Sequence, residues 1–211
     1  IMGKEFIQQL IDNYQSGYSL PQPFYTSKEI FAAEWKSIFQ KHWLFAGNLA
    51  QIPKAGDYFL CHLQNDTIII IRGNNDEVHA HYNTCTHRGS AICLEDKGHA
   101  AKLICPYHQW VFDKDGTLLN ARMMPDDFCK EQHNLRSVHV KQVGGLVFIS
   151  LAKDAPDFSS IEKTLIPYLL PFEISKAKVA CIKNYTLKAN WKLVAENFRE
   201  CYHCGGAHPE Y

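Results

Sequence analysis

Two short Cys/His motifs, separated by a spacer, constrain this chain more than any other feature of its sequence. The first reads Cys85-Thr86-His87-Arg88-Gly89 and the second reads Cys105-Pro106-Tyr107-His108-Gln109-Trp110, with seventeen residues between His87 and Cys105. Each motif offers one thiolate and one imidazole, so the pair cannot supply the four-thiolate cage of a ferredoxin. It suits a [2Fe–2S] cluster in which one iron takes both sulfurs and the other takes both imidazoles.

These four residues also allow three other interpretations. Zinc also binds Cys2His2 sets, but structural zinc sites usually draw on pairs of like ligands, and here each pair is mixed. A second alternative is a disulfide between Cys85 and Cys105 with two incidental histidines, and a third is four unrelated loop residues. The order of the four donors, with Arg88-Gly89 after the first histidine and Trp110 near the second, argues against coincidence and favours the cluster.

The motif pair resembles the ligand set of Rieske proteins. Rieske proteins of respiratory chains carry an extra cysteine in each motif, and these two cysteines pair to brace the cluster. Here the corresponding positions hold Ser90 and Tyr107, so the resemblance implies an unbraced cluster. Rieske potentials span roughly −150 to +300 mV and depend on hydrogen bonds and exposure. We expect the lower part of that range, which suits electron delivery to an oxygen-activating iron.

Composition limits the classes of partner. A chain of 211 residues is long enough to bury a core and to form one or two domains. Twenty-two basic and twenty-two acidic residues leave no net charge, so nothing favours nucleic acid as a partner. No apolar run approaches the roughly 20 residues that span a bilayer, and the start at Met2-Gly3 lacks a signal-peptide pattern. We expect a cytoplasmic protein whose eight cysteines are ligands or reduced thiols.

The region from Gly56 to about Leu151 predicts an antiparallel β domain that carries both motifs on loops. Hydrophobic runs of strand length alternate there with turn signals such as Asp113-Lys114-Asp115-Gly116 and Gly144-Gly145. The predicted strands are Asp57–Leu63, Thr67–Arg72, Val78–Asn83, Trp110–Phe112, Thr117–Leu119, Val138–Val143 and Leu146–Leu151. The other histidines of this region lack ligand spacing, and we expect them at the surface: His62, His79, His81, His99, His133 and His139.

Helical patterns flank the β region, so the predicted fold class is α+β. An amphipathic helix is predicted around Ile7–Tyr14, and the capping box Thr26-x-x-Glu29 opens a second helix that ends near His42–Asn48. Beyond the β region we expect a helix over Ile161–Leu170, interrupted by Pro167, and a strand over Lys178–Lys188. The apolar stripe of the second helix is more typical of core than of a cofactor site: Phe31, Trp35, Ile38 and Phe39.

The segment from Asn190 to Tyr211 holds a second candidate metal site. Glu200 and His203 lie three residues apart on a predicted helix, so the carboxylate can orient the imidazole. His203 and His208 are five residues apart, and a regular helix would separate them by about 140°. Gly205-Gly206 permits a π-bulge or break that brings both rings to one metal. Two histidines alone are more often solvated residues at a helix end. The predicted apolar face of the helix comprises Trp191, Val194, Ala195 and Phe198.

Together, the motifs resemble the α subunit of Rieske non-haem iron oxygenases, the ring-hydroxylating dioxygenase family. After the Rieske motifs come Asn-Trp-Lys, Glu-Asn-Phe, Glu-x-x-His and His-Pro, and the resemblance covers essentially the whole chain. It implies that Cys85 and Cys105 bind the inner iron of the cluster, and that His87 and His108 bind the outer iron. His203 and His208 would be the first two ligands of a mononuclear Fe(II), with a later Asp completing the facial triad.

The resemblance also assigns a role to Glu200. It matches the bridging acid that links a cluster histidine of a neighbouring subunit to an iron ligand, a position at which most members have Asp. A glutamate within Glu-Cys-Tyr-His-Cys resembles the branch that acts on quaternary ammonium compounds, namely the choline, carnitine and glycine-betaine type monooxygenases. The alternative is a solvated helix acid at which Asp and Glu are interchangeable.

The resemblance implies a domain order and a set of partners. N-terminal helices (residues 1–48) would pack on the catalytic domain, the Rieske domain would cover residues 49–155, and residues 156–211 would begin the mononuclear-iron domain. Electrons would come from NAD(P)H through a flavin and iron–sulfur reductase. The enzyme, expected to be a homotrimer, would use O2 to hydroxylate or N-demethylate a small molecule, either a quaternary ammonium or an aromatic compound.

Two departures from the family pattern matter. Gln109 stands where the family usually has Gly, which changes packing under the second motif but removes no ligand. The chain also ends at Tyr211, before any third iron ligand, so we expect it to be the N-terminal part of a longer protein. Asp126 and Asp127 match no triad position, and Cys201 and Cys204 are expected to be buried thiols. The alternative functions are a stand-alone Rieske electron carrier and a regulatory fragment that keeps the cluster.

Overall fold

The computed structural model describes residues 4–208 and divides them into two compact units. One unit runs over Phe39–Cys181, and the other combines the residues up to Ile38 with those from Ile182 onward. Met2-Gly3 and the Pro209 of the last motif lie outside the described residues. The predicted α+β class with antiparallel sheets is confirmed. The domain limits at 48/49 and 155/156 stay predictions.

Ten strands in residues 39–181 pair antiparallel in three sheets. The first sheet has the order β1-β10-β9, the second β4-β3-β2-β5 and the third β6-β7-β8. The strands are β1 Leu44–Asn48, β2 Asp57–Leu63, β3 Asp66–Arg72, β4 Val78–Tyr82, β5 Lys97–His99, β6 Leu103–Ile104, β7 Val111–Phe112, β8 Leu118–Asn120, β9 His139–Val143 and β10 Leu146–Ser150.

Strand β3 is the centre of this unit because both of its faces are covered. Its run of four isoleucines, Ile68–Ile71, is fully buried. Since side chains alternate along a strand, Ile69 and Ile71 pack with the loops of the Cys/His motifs, whereas Ile68 and Ile70 pack with β10. Each buried isoleucine stabilises the fold by roughly 1.5–3 kcal/mol. The loops that carry the two Cys/His motifs therefore pack against the most deeply buried strand of this unit.

Strand β1 corrects one prediction. Leu44–Asn48 was assigned to the end of a helix, but it is a strand that pairs with β10, Leu44 opposite Ile149 and Asn48 opposite Leu146. The pairing partner lies about one hundred residues later, so no local pattern reveals it. The short strands β5 and β6 were also missed, because two or three residues give no measurable alternation.

Six α-helices lie in residues 4–208. They are α1 Lys4–Asp12, α2 Pro23–Thr26, α3 Lys28–Glu34, α4 Ser159–Leu169, α5 Trp191–Arg199 and α6 Cys204–Ala207. A π-helical stretch, Trp35–Phe39, follows α3, and 3-10 turns cover Leu49–Gln51, Lys130–His133, Leu170–Phe172 and Ile174–Lys176. The predicted helix over Ile161–Leu170 corresponds to α4, but the predicted interruption at Pro167 is wrong, because α4 continues through that residue.

The details of the helices correct three predictions. Ser27, not Thr26, caps α3, because its hydroxyl accepts a hydrogen bond from the Ile30 N–H at 3.2 Å. Ile30 is the buried residue of that helix, whereas Ile38 of the predicted stripe is exposed. Lys178–Lys188 is not a strand; among the residues described it pairs with no neighbouring strand and is exposed along its length. Alternation alone cannot form a strand without a partner.

Candidate metal centres

The two Cys/His motifs fold into loops of the same design. In the first, the Cys85 N–H donates to the Ser90 carbonyl at 2.8 Å and the Gly89 N–H donates to the Cys85 carbonyl at 2.9 Å. In the second, Cys105 makes the corresponding two bonds with Trp110 and Gln109, both at 2.9 Å. The loops differ in where the histidine sits, two residues after Cys85 and three residues after Cys105.

Each loop closes on a residue in the left-handed backbone region, at the fourth position after the cysteine. Gly89 has φ of 73° and Gln109 has φ of 58°. Glycine adopts this conformation without steric penalty, whereas a side chain there costs roughly 1–2 kcal/mol. The Gln109 departure therefore keeps the loop geometry but adds strain to it, and it leaves both donors of the second loop in place.

The two loops place their four candidate ligands in two environments, with the cysteines on the inner side and the histidines on the outer side. The Cys85 and Cys105 side chains are both buried, at 2% and 1% exposure. The rings of His87 and His108 lie together on the outer side, with centroids 4.6 Å apart. His87 is half-buried and His108 is exposed. Burial raises the pKa of the Cys85 thiol, and desolvation together with the neighbouring His108 lowers the pKa of His87.

This sorting fits a cluster with one sulfur-bound and one nitrogen-bound iron. The Nδ1 atom of His87 is buried and has no hydrogen-bond partner among the described residues, which is the environment expected of a metal-binding nitrogen. A single zinc ion would need all four donors to converge on one point. No group of three His, Cys, Asp or Glu side chains within residues 4–208 does so. Cys85 and Cys105 are free thiols, which removes the disulfide alternative.

Trp110 supports the His87 imidazole, the outer candidate ligand of the first loop. It is 2% exposed, and His87 stacks on it with a centroid distance of 4.7 Å and an interplanar angle of 8°. Phe128 and His133 pack edge-on against the same indole. The Thr86 hydroxyl donates to the His133 carbonyl at 2.6 Å, so the first loop is tied to the residues that pack on the second.

Asn83 is a supporting residue that the sequence analysis missed. It is buried two residues before Cys85, and its side-chain oxygen accepts from the N–H groups of Ile92 and Cys93, each at 2.9 Å. Its amide nitrogen donates to the Cys93 carbonyl at 2.7 Å. These three bonds join the residue before the first loop to the segment that follows the loop. Burial also raises the pKa of the Cys93 thiol to about 11, so Cys93 stays protonated at neutral pH.

His81 is buried, against the prediction of a surface position. It is 1% exposed, and its Nε2 lies 2.9 Å from the Lys114 carbonyl while its Nδ1 lies 3.3 Å from the Ser137 hydroxyl. It thereby joins β4, which leads into the first loop, to the β7–β8 hairpin, which follows the second loop. Burial lowers the pKa of His81, so the neutral ring is the stable form. Long-range contacts of this kind leave no sequence signal.

The second candidate site is built differently from the helix that was predicted. Helix α5 ends at Arg199, and Glu200 is an extended C-cap residue, so Glu200 and His203 do not share a continuous helix. The Glu200 carboxylate nevertheless reaches the His203 Nδ1 at 3.3 Å and accepts from the Tyr202 N–H. The His203 and His208 rings lie 5.8 Å apart across α6. The break thus precedes His203 rather than following it, and it still brings both rings together.

Other residues near this site also differ from expectation. Cys201 is exposed and Cys204 is partly exposed, so the prediction of two buried thiols is wrong. The predicted apolar face of α5 is largely exposed, and its buried residue is Lys192. A cleft of about 730 Å³ lies beside Glu200, with Tyr14, Tyr18 and Glu196 in its lining.

Family models match both halves of this arrangement. A model of the Rieske [2Fe-2S] domain matches residues 42–140, and a model of the ring hydroxylating alpha subunit (catalytic domain) matches residues 174–211. The chain belongs to the Rieske non-haem iron oxygenase α subunits. This is the family that the sequence resembled, and a Rieske domain implies the [2Fe–2S] cluster that the sorted donors fit.

Several proteins and solved structures are similar to this Rieske oxygenase chain. It is 47% identical over 93% of its length to the glycine betaine monooxygenase oxygenase subunit of Chromohalobacter salexigens, of which it covers 44%. It is 33% identical to the carnitine monooxygenase oxygenase subunit of Escherichia coli over 94% of this chain and 54% of that protein. It also matches the solved structure of the quaternary ammonium Rieske monooxygenase CntA in complex with substrate L-carnitine, with a TM-score of 0.83 and 34% identity over 90% of this chain and 55% of that chain.

The chain thus spans about half the length of the relatives it matches. Within the described part of the Rieske oxygenase chain, no helix combines the length and the apolar character that a membrane crossing needs.

Proposed function

We propose that this chain is part of the oxygenase component of a Rieske monooxygenase that hydroxylates an N-methyl group of a quaternary ammonium compound, which leads to demethylation. The observation that carries the proposal is the sorting of the four loop donors into two buried thiols and two outer imidazoles. The substrate class rests on the similarity to glycine betaine and carnitine monooxygenase subunits. An aromatic substrate is the alternative.

The loop residues would bind the cluster by side-chain type. Cys85 and Cys105 would hold the inner iron and His87 and His108 the outer one, and a bound Rieske cluster supplies one-electron transfer. The rigid loops fix the four donors in advance, since Trp110 stacks on His87 and each cysteine is anchored by two backbone bonds. His108 presents its ring to solvent, at the surface where a reductase or a second subunit can approach.

The second site would bind a mononuclear Fe(II) through His203 and His208. Two histidines and a carboxylate leave open positions on such an iron for O2 and substrate chemistry. Glu200 accepts from His203 Nδ1, which leaves the Nε2 atom of that ring free to face a metal. Glu200 is also the residue we assign to the bridge toward a cluster histidine of a neighbouring subunit.

The proposal includes partners that supply and relay electrons. A flavin and iron–sulfur reductase that oxidises NAD(P)H would reduce the cluster, and a homotrimer would bring the cluster of one subunit to the iron of the next. The proposal is supported by the similarity to a quaternary ammonium Rieske monooxygenase whose structure reveals insights into inter-subunit electron transfer.

The test uses the full-length protein with its reductase. Oxygen uptake and formaldehyde release are measured with glycine betaine, carnitine and choline, and diol formation is measured with naphthalene. We expect stoichiometric uptake and formaldehyde with one of the ammonium compounds. Glu200→Ala should keep the visible spectrum of the cluster and lose coupled turnover. Oxygen uptake coupled only to the arene, or to none of the compounds, would contradict the proposed substrate class.

A further inference from the structure

A buried ion pair joins the N-terminal segment to the start of α5. The Lys192 ammonium lies 2.7 Å and 2.8 Å from the two carboxylate oxygens of Glu34, at the end of α3. The Trp191 indole N–H donates to the same carboxylate at 3.0 Å. The side chains of Lys192 and Glu34 are only 9% and 12% exposed. The carboxylate thus satisfies two donors at the first turn of α5, and its removal would leave the Lys192 charge buried without its partner.

A second contact holds the same helix one turn later. The Tyr25 hydroxyl donates to the Glu196 carboxylate, at 2.8 Å and 3.1 Å from its two oxygens, and accepts from the Leu20 N–H at 3.1 Å. Burial, with the hydrogen bond to Glu196, raises the pKa of Tyr25, so the phenol remains a donor at neutral pH. The N-terminal segment therefore contacts two successive turns of α5.

The two contacts and Glu200 follow one another along α5 in steps of four residues. Lys192 and Glu196 share one side of the helix, and Glu200, the C-cap residue just beyond its end, donates its N–H to the Glu196 carbonyl at 3.0 Å. Glu34 and Tyr25 hold the first two positions, and the third carries the carboxylate that meets His203 at 3.3 Å. That distance is already at the long end for a hydrogen bond. A small rotation or shift of α5 would therefore break the Glu200–His203 contact.

We propose that Glu34 is a positioning residue for the mononuclear iron site, and that Tyr25 assists it through Glu196. Glu34 fixes where α5 begins and Tyr25 fixes its rotation, so together they set where Glu200 meets the His203 ring. The inference rests on the proposed function of His203 and His208 as metal ligands. It adds a role for N-terminal residues that are more than 150 positions away in sequence from that site.

The test measures metal affinity at the second site separately from catalysis. Glu34→Gln keeps the shape of the side chain and removes its charge, and Tyr25→Phe removes only one hydroxyl. Glu5→Gln, an exposed acid on α1, is the matched control. Each full-length protein with an intact cluster is stripped of its mononuclear metal and titrated with Co(II), whose ligand-field absorption reports the coordination directly. Acid-labile sulfide and the spectrum of the reduced cluster serve as internal references.

We expect Glu34→Gln to weaken Co(II) binding by about 10-fold, the low end of the range for residues that orient metal ligands, and to change the ligand-field spectrum. Tyr25→Phe should act in the same direction by a smaller factor, and it carries the test if Glu34→Gln does not fold. The cluster signals and the Glu5→Gln protein should be unchanged.

Two results are distinguishable. Unchanged Co(II) affinity and spectrum in folded Glu34→Gln and Tyr25→Phe proteins, with normal binding by the parent, would overturn the positioning role alone. A parent protein that binds no Co(II) outside the cluster would overturn the proposed iron site and this inference with it.

Discussion

The two candidate metal sites of this chain are held in opposite ways. The first cluster loop follows β4, the neighbour of the strand with four buried isoleucines, and the second loop lies between β6 and β7. All four donors, their stacking partner Trp110 and the supporting residue Asn83 lie in residues 39–181. The second site lies around a short helix after a break, its His203 ring meets the Glu200 carboxylate at 3.3 Å, and the preceding helix α5 presents apolar residues such as Phe198 to solvent. Sites embedded in a core carry their own support, whereas the second site depends on contacts made elsewhere.

The largest expected effect separates the two sites by metal content. Cys105→Ser removes a sulfur ligand of the inner iron, so we expect complete loss of acid-labile sulfide and of the visible absorption of the cluster. His203→Ala should keep the full sulfide content and lose only the iron that is not in the cluster. Iron and sulfide analysis of the two purified proteins checks this. Retained sulfide in Cys105→Ser would remove that residue from the ligand set.

The second prediction concerns the packing beneath the loops. Trp110→Ala removes a buried indole on which His87 stacks, so we expect the free energy of unfolding to fall by about 3–5 kcal/mol. Leu94→Ala, at a side chain that is 70% exposed, should change it by no more than about 0.5 kcal/mol. Urea titrations at one fixed pH compare the two. Equal effects would show that the loops do not rely on this core.

A third prediction uses the buried His81. Its pKa is lowered in the folded protein by burial, and partly by His79, against the raising effects of the Lys114 carbonyl and Asp115. The folded state then binds fewer protons than the unfolded state, so this contribution to stability is present above the ordinary histidine pKa of about 6.5 and is lost as pH falls below it. The free energy of unfolding should therefore drop more steeply between pH 7.5 and 5.5 in the parent than in His81→Gln. Parallel pH profiles would contradict this.

The smallest effect compares the two loops with each other. Gln109→Gly relieves a left-handed backbone position and should stabilise the protein by roughly 0.5–1 kcal/mol, the strain relief being partly offset by the added freedom of the unfolded chain. Gly89→Ala places a side chain in the equivalent conformation and should destabilise it by about 1 kcal/mol. Thermal unfolding of both variants with the cluster bound measures the difference. Effects of the same sign would mean that the loops are not equivalent.

Features that depend on residues close together in the chain were predicted correctly. Strand-length apolar runs and turn signals predicted an antiparallel β domain with both Cys/His motifs on loops, and the turn at Gly144-Gly145 placed β9 and β10 correctly. The family resemblance was confirmed as well. These predictions were correct because turn residues, apolar runs and family motifs are each recognised from residues that lie within a few positions of one another.

What could not be predicted depends on partners distant in sequence. Strand β1 forms because β10 is available, and Lys178–Lys188 is not a strand because the described residues offer it no partner. His81 is buried because the Lys114 carbonyl and Ser137 meet its ring. The helix that was expected to carry both Glu200 and His203 ends at Arg199, although helix periodicity continues past that point. The ion pair of Glu34 and Lys192 has no local signature at all.

The central claim is that the two loops divide one [2Fe–2S] cluster into a thiolate half and an imidazole half. Electron–nuclear double resonance on the reduced full-length protein, with histidine labelled by ¹⁵N, tests it most directly. We expect couplings from two histidine nitrogens, both lost when His87 and His108 are replaced together and unchanged in His203→Ala. A reduced cluster without nitrogen coupling, or a purified protein that holds zinc and no acid-labile sulfide, would contradict the account.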